Sequence, residues 1–197
     1  MISKELQNLQ KLNLIIRKFI SKNNNIWDIS IYGSFVRGKK DARDIDVAIF
    51  LKKDISLKQK TDLAYELKER ITEKTNLNVD IKTLSVRDFF DKTFVARQGI
   101  LAETFLLKRK KFLSELLGFK NYYLFTYSLK GLSHSRKNLF NYTLKGRRKS
   151  KGLLKEKNSF FISISSLMVP IQNVEFFIDF FEKNKINYKI FKILIYK

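Results

Sequence analysis

Residues 44–51, DIDVAIFL, open with alternating polar and apolar side chains and run on into apolar ones. That alternation specifies a strand with one face turned into a core. Residues i and i+2 of a strand share a face, with Cα atoms about 6.5–7 Å apart. Asp44 and Asp46 are therefore expected to project together, while Ile45, Val47 and Ile49 fill the opposite face. Two carboxylates that close repel each other unless a cation sits between them. Paired oxygen ligands suit Mg²⁺, which keeps several waters and completes its shell with substrate phosphates.

The flanking segments predict a small α/β unit. Leu6, Leu9, Leu12, Ile16 and Phe19 recur at helical spacing over about 3–21, and NNN at 23–25 ends that helix. Trp27, Ile29 and Ile31 alternate with polar neighbours, Leu63, Leu67 and Ile71 mark a helix over about 56–75, and LNVDIKTL at 77–84 reads as a third strand. A short fourth strand is expected after Gly99, in ILAETFLL. Asp80 falls on the polar face of the third strand, so three carboxylates converge if that strand neighbours the second.

Nine residues separate Asp44 from the pair Gly33-Ser34, which stands where the first strand must turn. Glycine lets the backbone approach a phosphate, and successive N–H groups with a hydroxyl make an anion-binding nest. Arg37 and Lys39 or Lys40 are near enough to help neutralise a triphosphate. A phosphate cradle beside carboxylates is the arrangement that two-metal phosphoryl transfer needs.

The segments YGSFVRG, DIDVAIF and NVDIKTL resemble the nucleotidyltransferase superfamily related to DNA polymerase beta, in particular its minimal nucleotidyltransferase domains. The resemblance covers about residues 1–105, and ARQGILAE is similar to the closing strand of those domains. It implies an α+β fold with a small mixed sheet and flanking helices, and transfer of an NMP from an NTP, with ATP favoured. It also implies a two-metal Mg²⁺ site at which Mn²⁺ can substitute. Carried over, Gly33, Ser34 and Arg37 hold the nucleotide, Asp44 and Asp46 bind metal, and Asp80 joins them and assists the attacking hydroxyl. The minimal domains often place Ser or Thr before the first Asp, where this chain has Arg43.

Beyond about residue 107 the texture changes, and a basic α+β module is expected over 108–197, after a catalytic domain over 1–107. The chain carries a net charge of +21. Residues 96–197 hold 21 Lys and Arg against 6 Asp and Glu, a net of +15. Composition biased toward Lys and Asn codons would raise Glu too, and Glu is not raised, so a polyanionic partner is favoured. Lys145, Arg147, Arg148, Lys149 and Lys151, in KGRRKSKG, form the densest cationic run and are the expected nucleic-acid contacts. Of Tyr122, Tyr123, Phe125, Tyr127, Phe140 and Tyr142, most are expected in a core, leaving one or two to stack on unpaired bases. The segment FFISISSL reads as one strand, VEFFIDFFEK as a helix and YKIFKILIY as a closing strand. His134, the only histidine, reads as a surface or phosphate-contacting residue, because no acidic orienting partner is nearby.

No Cys means no disulfide or thiolate metal site, the N-terminus MISKELQNLQ lacks the apolar core of a signal peptide, and the longest nearly apolar run, FFISISSLMVPI, is too short to span a bilayer as a helix, so a cytoplasmic protein is expected. The favoured acceptor is an RNA. The rival readings are an antitoxin-like enzyme that adds AMP to a partner protein, and a non-catalytic nucleic-acid-binding protein. A cationic small-molecule acceptor comes last, since this surface would repel it.

Overall fold

The computed structural model describes residues 4–39, 44–75, 77–148 and 150–196, with side chains from residue 10 onward. Arg37–Lys39 and Gly118–Lys197 group as one compact unit, and the rest of the chain forms another. None of the helices among the described residues is long and apolar enough to cross a membrane.

The first unit runs α1 (Lys4–Lys22), β1 (Ile26–Tyr32), β2 (Ile45–Leu51), α2 (Leu57–Lys74), β3 (Val79–Leu84), α3 (Val86–Phe90), α4 (Arg97–Glu103), β4 (Phe105–Leu106), β5 (Lys111–Phe112) and α5 (Leu113–Leu116). Its sheet has the order β3-β2-β1-β4-β5. The pairing is mixed: β2 and β3 are parallel, and the other neighbours are antiparallel. A capping box starts α2: the Gln59 N–H donates to Ser56 Oγ at 3.3 Å, and the Ser56 N–H donates to Gln59 Oε1 at 3.0 Å.

The period-two pattern of β2 sorts its residues between two apolar layers. Val47 and Ile49 join Ile16 and Phe19 of α1 and Leu67 and Ile71 of α2. Ala48 and Phe50, on the other face, join Tyr32, Leu84, Ile100 and Leu106. Asp28 on β1 is fully buried, and the Arg109 guanidinium meets it at 2.8 Å while lying 3.7 Å from the Trp27 ring centroid. A carboxylate at that depth requires such a partner.

Two expectations are corrected. Residues 97–103 form helix α4, and the strand expected after Gly99 shrinks to Phe105–Leu106. Ile100 and Glu103, at helical spacing, are both buried there, and the packing of Ile100 against Tyr32 and Leu106 outweighs a weak alternating pattern. ARQGILAE is accordingly helical. FFISISSL is a hairpin, β7 (Phe160–Ser163) and β8 (Ser166–Pro170), because the chain reverses at Ile164, which is 95% exposed.

The second unit runs β6 (Phe119–Ser128), α6 (His134–Lys145), α7 (Leu153–Glu156), β7, β8, a 3₁₀ turn (Ile171–Asn173), α8 (Val174–Lys183) and β9 (Asn187–Tyr196). Its antiparallel sheet has the order β7-β8-β6-β9. With α7 set aside, the succession is β-α-β-β-α-β, a split arrangement in which the two outer strands, β7 and β9, each follow a helix. Phe125 on β6 meets Phe181 and Phe177 of α8, at centroid distances of 5.5 and 6.2 Å. Tyr127 meets Phe140 of α6 at 5.5 Å.

Candidate active site

Register brings the site together. In the antiparallel β1–β2 ladder Tyr32 stands opposite Asp46, and in the parallel β2–β3 ladder Asp46 stands beside Asp80. Tyr32, Asp46 and Asp80 thus form one lateral row across three adjacent strands, which lie about 4.8 Å apart. Tyr32 is buried, Asp46 is half-buried and Asp80 is exposed, so the row opens toward solvent at its acidic end.

The Tyr32 hydroxyl is buried without a hydrogen-bond partner. Burial, then the charges of Asp46 and Asp80, push its pKa far above the usual tyrosine value. A protonated phenol therefore floors the site, and the negative field above it comes from two carboxylates. The Lys82 ammonium lies 3.9 Å from Asp80 Oδ2, a loose contact between exposed groups.

Gly33 follows Tyr32 with φ at +76°, and a β-carbon there would lie 2.3 Å from Asp46 Oδ2. The backbone and the carboxylate meet at a spacing only glycine permits. Ser34 comes next, half-buried, in a run of turns spanning 33–38. Successive N–H groups of those turns are the backbone donors available to a phosphate there.

Asp44 lies one residue before β2, exposed, and the Asn78 side-chain amide donates to its Oδ1. The strand periodicity expected to align it with Asp46 begins only at Ile45. Among the described residues no group of three or more acidic or histidine side chains is close enough to hold one metal ion. Asp46 and Asp80 form the carboxylate pair. Both supply hard oxygen donors of the kind a divalent cation takes, and the Gly33 backbone packs beside Asp46 Oδ2.

The other sequence-derived residues fall as follows. Arg37 Nε donates to Glu175 Oε1 at 2.8 Å, inside the second unit. Lys145 ends α6 with its ammonium 5.2 Å from the Phe161 ring centroid, and Arg147 lies over Tyr142 at 5.0 Å. Arg148 and Lys151 are exposed. Lys40, Arg43 and Lys149 lie outside the described residues. His134 opens α6, exposed, with Asn138 Nδ2 at 3.1 Å from its Nδ1. Sequence reasoning missed Tyr32 and Asn78. For Tyr32 the signal was present, since it ends the strand immediately before Gly33.

The family model for polymerase beta nucleotidyltransferases matches residues 15–107. That span contains the Tyr32, Asp46 and Asp80 row and the Gly33 turn. These residues form a polymerase beta-type nucleotidyltransferase domain. No curated protein matches the chain. Among solved structures, a toxin–antitoxin complex described as MntA-HepT is 18% identical, covers 50% of this chain and 70% of its own, and gives a TM-score of 0.34. A toxin–antitoxin structure with AMP-PNP is 20% identical, covers 48% and 71%, and gives 0.37. A complex of a tri-AMPylated Shewanella oneidensis HEPN toxin with its MNT antitoxin is 17% identical, covers 56% and 83%, and gives 0.36.

Proposed function

We propose that the nucleotidyltransferase domain moves an NMP from an NTP, ATP in the first instance, to a hydroxyl of an RNA. The observation that carries this reading is the cross-strand carboxylate pair, Asp46 beside Asp80, with Gly33 packed against the first of them. In such a transfer the acceptor oxygen forms a bond to the α-phosphorus, the bond to pyrophosphate breaks, and the acceptor proton leaves. Asp80, at the exposed end of the row, would assist the attacking hydroxyl. Asp46 and Asp80 would hold Mg²⁺, and Asp44 would add its carboxylate once released from Asn78. The metal would supply charge neutralisation for the phosphates. Gly33 and Ser34 would cradle the triphosphate.

The acceptor follows from charge. Residues 118–158 hold eleven Lys and Arg and one acid, Glu156. A module of that kind attracts a polyanion and repels a cationic small molecule. The test is incubation of the purified protein with each α-labelled NTP and Mg²⁺, with total RNA or lysate protein as acceptor. Label entering RNA supports the reading. Label entering only protein makes this an enzyme that nucleotidylates a partner protein, and label entering neither fraction leaves a binding protein.

A further inference from the structure

One face of the second unit's sheet is its core side, since Tyr123, Phe125 and Tyr127 of β6 are buried and the last two pack on α6 and α8. The intervening residues Lys120, Tyr122, Leu124 and Thr126 point the other way. Register places Ile193 and Phe191 of β9 beside Tyr122 and Leu124, and Met168 of β8 on the other side of Leu124. Phe160 of β7 stands opposite Met168, and its ring meets Tyr122 edge-on at 5.8 Å. Phe160 is 44% exposed and Phe191 48% exposed. This face therefore presents aromatic rings from three of its four strands, β6, β7 and β9.

Its charge is of one sign. None of the segments FKNYYLFTYS, FFIS, SLMVP and NYKIFKILIY contains an acidic residue. Lys120, near one end of β6, and Lys189, opposite Thr126 near the other, lie on this open face. Those two positions are six residue steps apart along β6, about 20 Å. Thr126 and Ser166 are cross-strand partners on the same face, so two hydroxyls stand together there.

We infer that this open sheet face is a stacking platform for single-stranded RNA, which deepens, and rests on, the reading of RNA as acceptor. Unpaired bases offer π-faces to Tyr122, Phe160 and Phe191, whereas a duplex keeps its bases stacked inside. The two lysines neutralise phosphates at the ends of the bound stretch. The Thr126 and Ser166 hydroxyls provide donors and acceptors for a ribose 2′-OH. The complementarity between an acid-free sheet and a polyanion selects this occupant over a second copy of the chain, whose equally basic face would repel it.

The test uses the full chain, a fluorescent 12-nucleotide RNA without self-complementarity, and anisotropy at fixed salt with no NTP. Binding is expected to be at least about ten-fold tighter for the single strand than for its duplex. Phe160→Ala and Phe191→Ala should each weaken single-strand binding about ten-fold, the lower-middle range for one base stacked on one ring. Phe191→Trp should restore binding, with its emission quenched as RNA is added, so a misfolded alanine variant does not decide the matter. Equal affinity for duplex, or alanine variants that bind like the wild type, overturns the platform. Variants that convert a dimer to a monomer with RNA binding unchanged also overturn it, and make the face an interface between copies. Single-strand binding by Asp46→Asn, with no transfer to RNA by the wild type, leaves the platform standing and overturns RNA as acceptor. Transfer to RNA that survives loss of single-strand binding overturns the platform alone.

Discussion

A β-carbon on Gly33 would lie 2.3 Å from Asp46 Oδ2, closer than any non-bonded contact allows. Gly33→Ala must therefore displace the carboxylate or the turn, and at φ +76° alanine adds a strain of about 1–2 kcal/mol. We expect nucleotide transfer to fall about 100-fold or more, with a lower melting temperature. Ser34→Ala removes one hydroxyl and leaves the backbone in place, so NTP affinity should drop by about ten-fold or less. Nucleotide titrations and transfer rates for both variants decide this. Equal losses would place the triphosphate elsewhere.

The row of Tyr32, Asp46 and Asp80 makes a second prediction. Asp46→Asn and Asp80→Asn keep the side-chain shape and remove charge, so transfer should fall by several orders of magnitude with the fold retained. Each change also removes one of the two charges that hold the Tyr32 phenol protonated, so its pKa should fall from its raised position while burial keeps it above normal. Phenolate absorbance, taken as the difference between each variant and its Tyr32→Phe counterpart, reads that shift. Tyr32→Phe itself removes a buried, unpartnered hydroxyl, and should leave stability equal or raised by about 1 kcal/mol. A marked loss of stability would show that the hydroxyl has a partner in solution.

The nucleotidyltransferase half was largely legible because its chemistry is written in local pattern. DIDVAIF gave β2 and its acidic face by period two, and NVDIKTL gave Asp80 on the matching face. Register was the missing quantity: no periodicity says that Asp46 pairs with Asp80 while Asp44 stays outside the strand with Asn78. The same gap explains α4, where burial of Ile100 against residues distant in sequence decided a segment of weak local preference. In the second unit, composition gave the charge. The split sheet and the side on which its aromatics fall depend on long-range pairing that composition does not carry.

Lys60 ties three segments of the first unit together. Its ammonium lies 2.8 Å from both Asp54 Oδ1 and Asp88 Oδ2, and its backbone carbonyl accepts from Thr83 Oγ1 at 3.0 Å. Burial pushes the Asp88 pKa up, but hydrogen bonds from Lys60 and Ser85 outweigh it and hold the carboxyl below its usual range. The Lys60 hydrogen bond likewise lowers Asp54. A carboxylate with a lowered folded pKa stabilises the protein above its unfolded pKa, about 3.9, and that stabilisation is lost as pH falls through the folded value. Lys60→Met keeps the aliphatic stem and removes the charge. The melting temperature should drop about 2–6 °C at pH 7, and the gap to wild type should narrow steadily below about pH 4. Melts at a series of pH values check it; a gap independent of pH would assign the role of Lys60 to packing alone.

The basic loop after α6 is held in shape by two glycines. Gly146 leaves the helix at φ +87°, and a β-carbon on Gly152 would lie 2.2 Å from the Gly146 nitrogen. The chain thus closes on itself between them, and Arg147 and Arg148 are exposed on the closed turn. If this loop contacts an RNA backbone, each neutralised phosphate releases condensed counterions and affinity falls with salt. A handful of engaged cations gives a slope of log K against log salt of about −3 to −5 for a single strand, at about −0.7 per contact. Changing Arg147, Arg148 and Lys149 together to Ala should flatten that slope by about 2 and weaken all sequences alike, because phosphate contacts carry no base information. The alanine variants of Phe160 and Phe191 should lower affinity at every salt concentration and leave the slope unchanged, since stacking releases no counterions. Nucleotide binding at the Asp46 and Asp80 site should not change in either set. An unaltered slope in the triple variant would make the loop a solvated surface, and the remaining cations of the second unit, Lys120 and Lys189 first, would then carry the phosphate contacts.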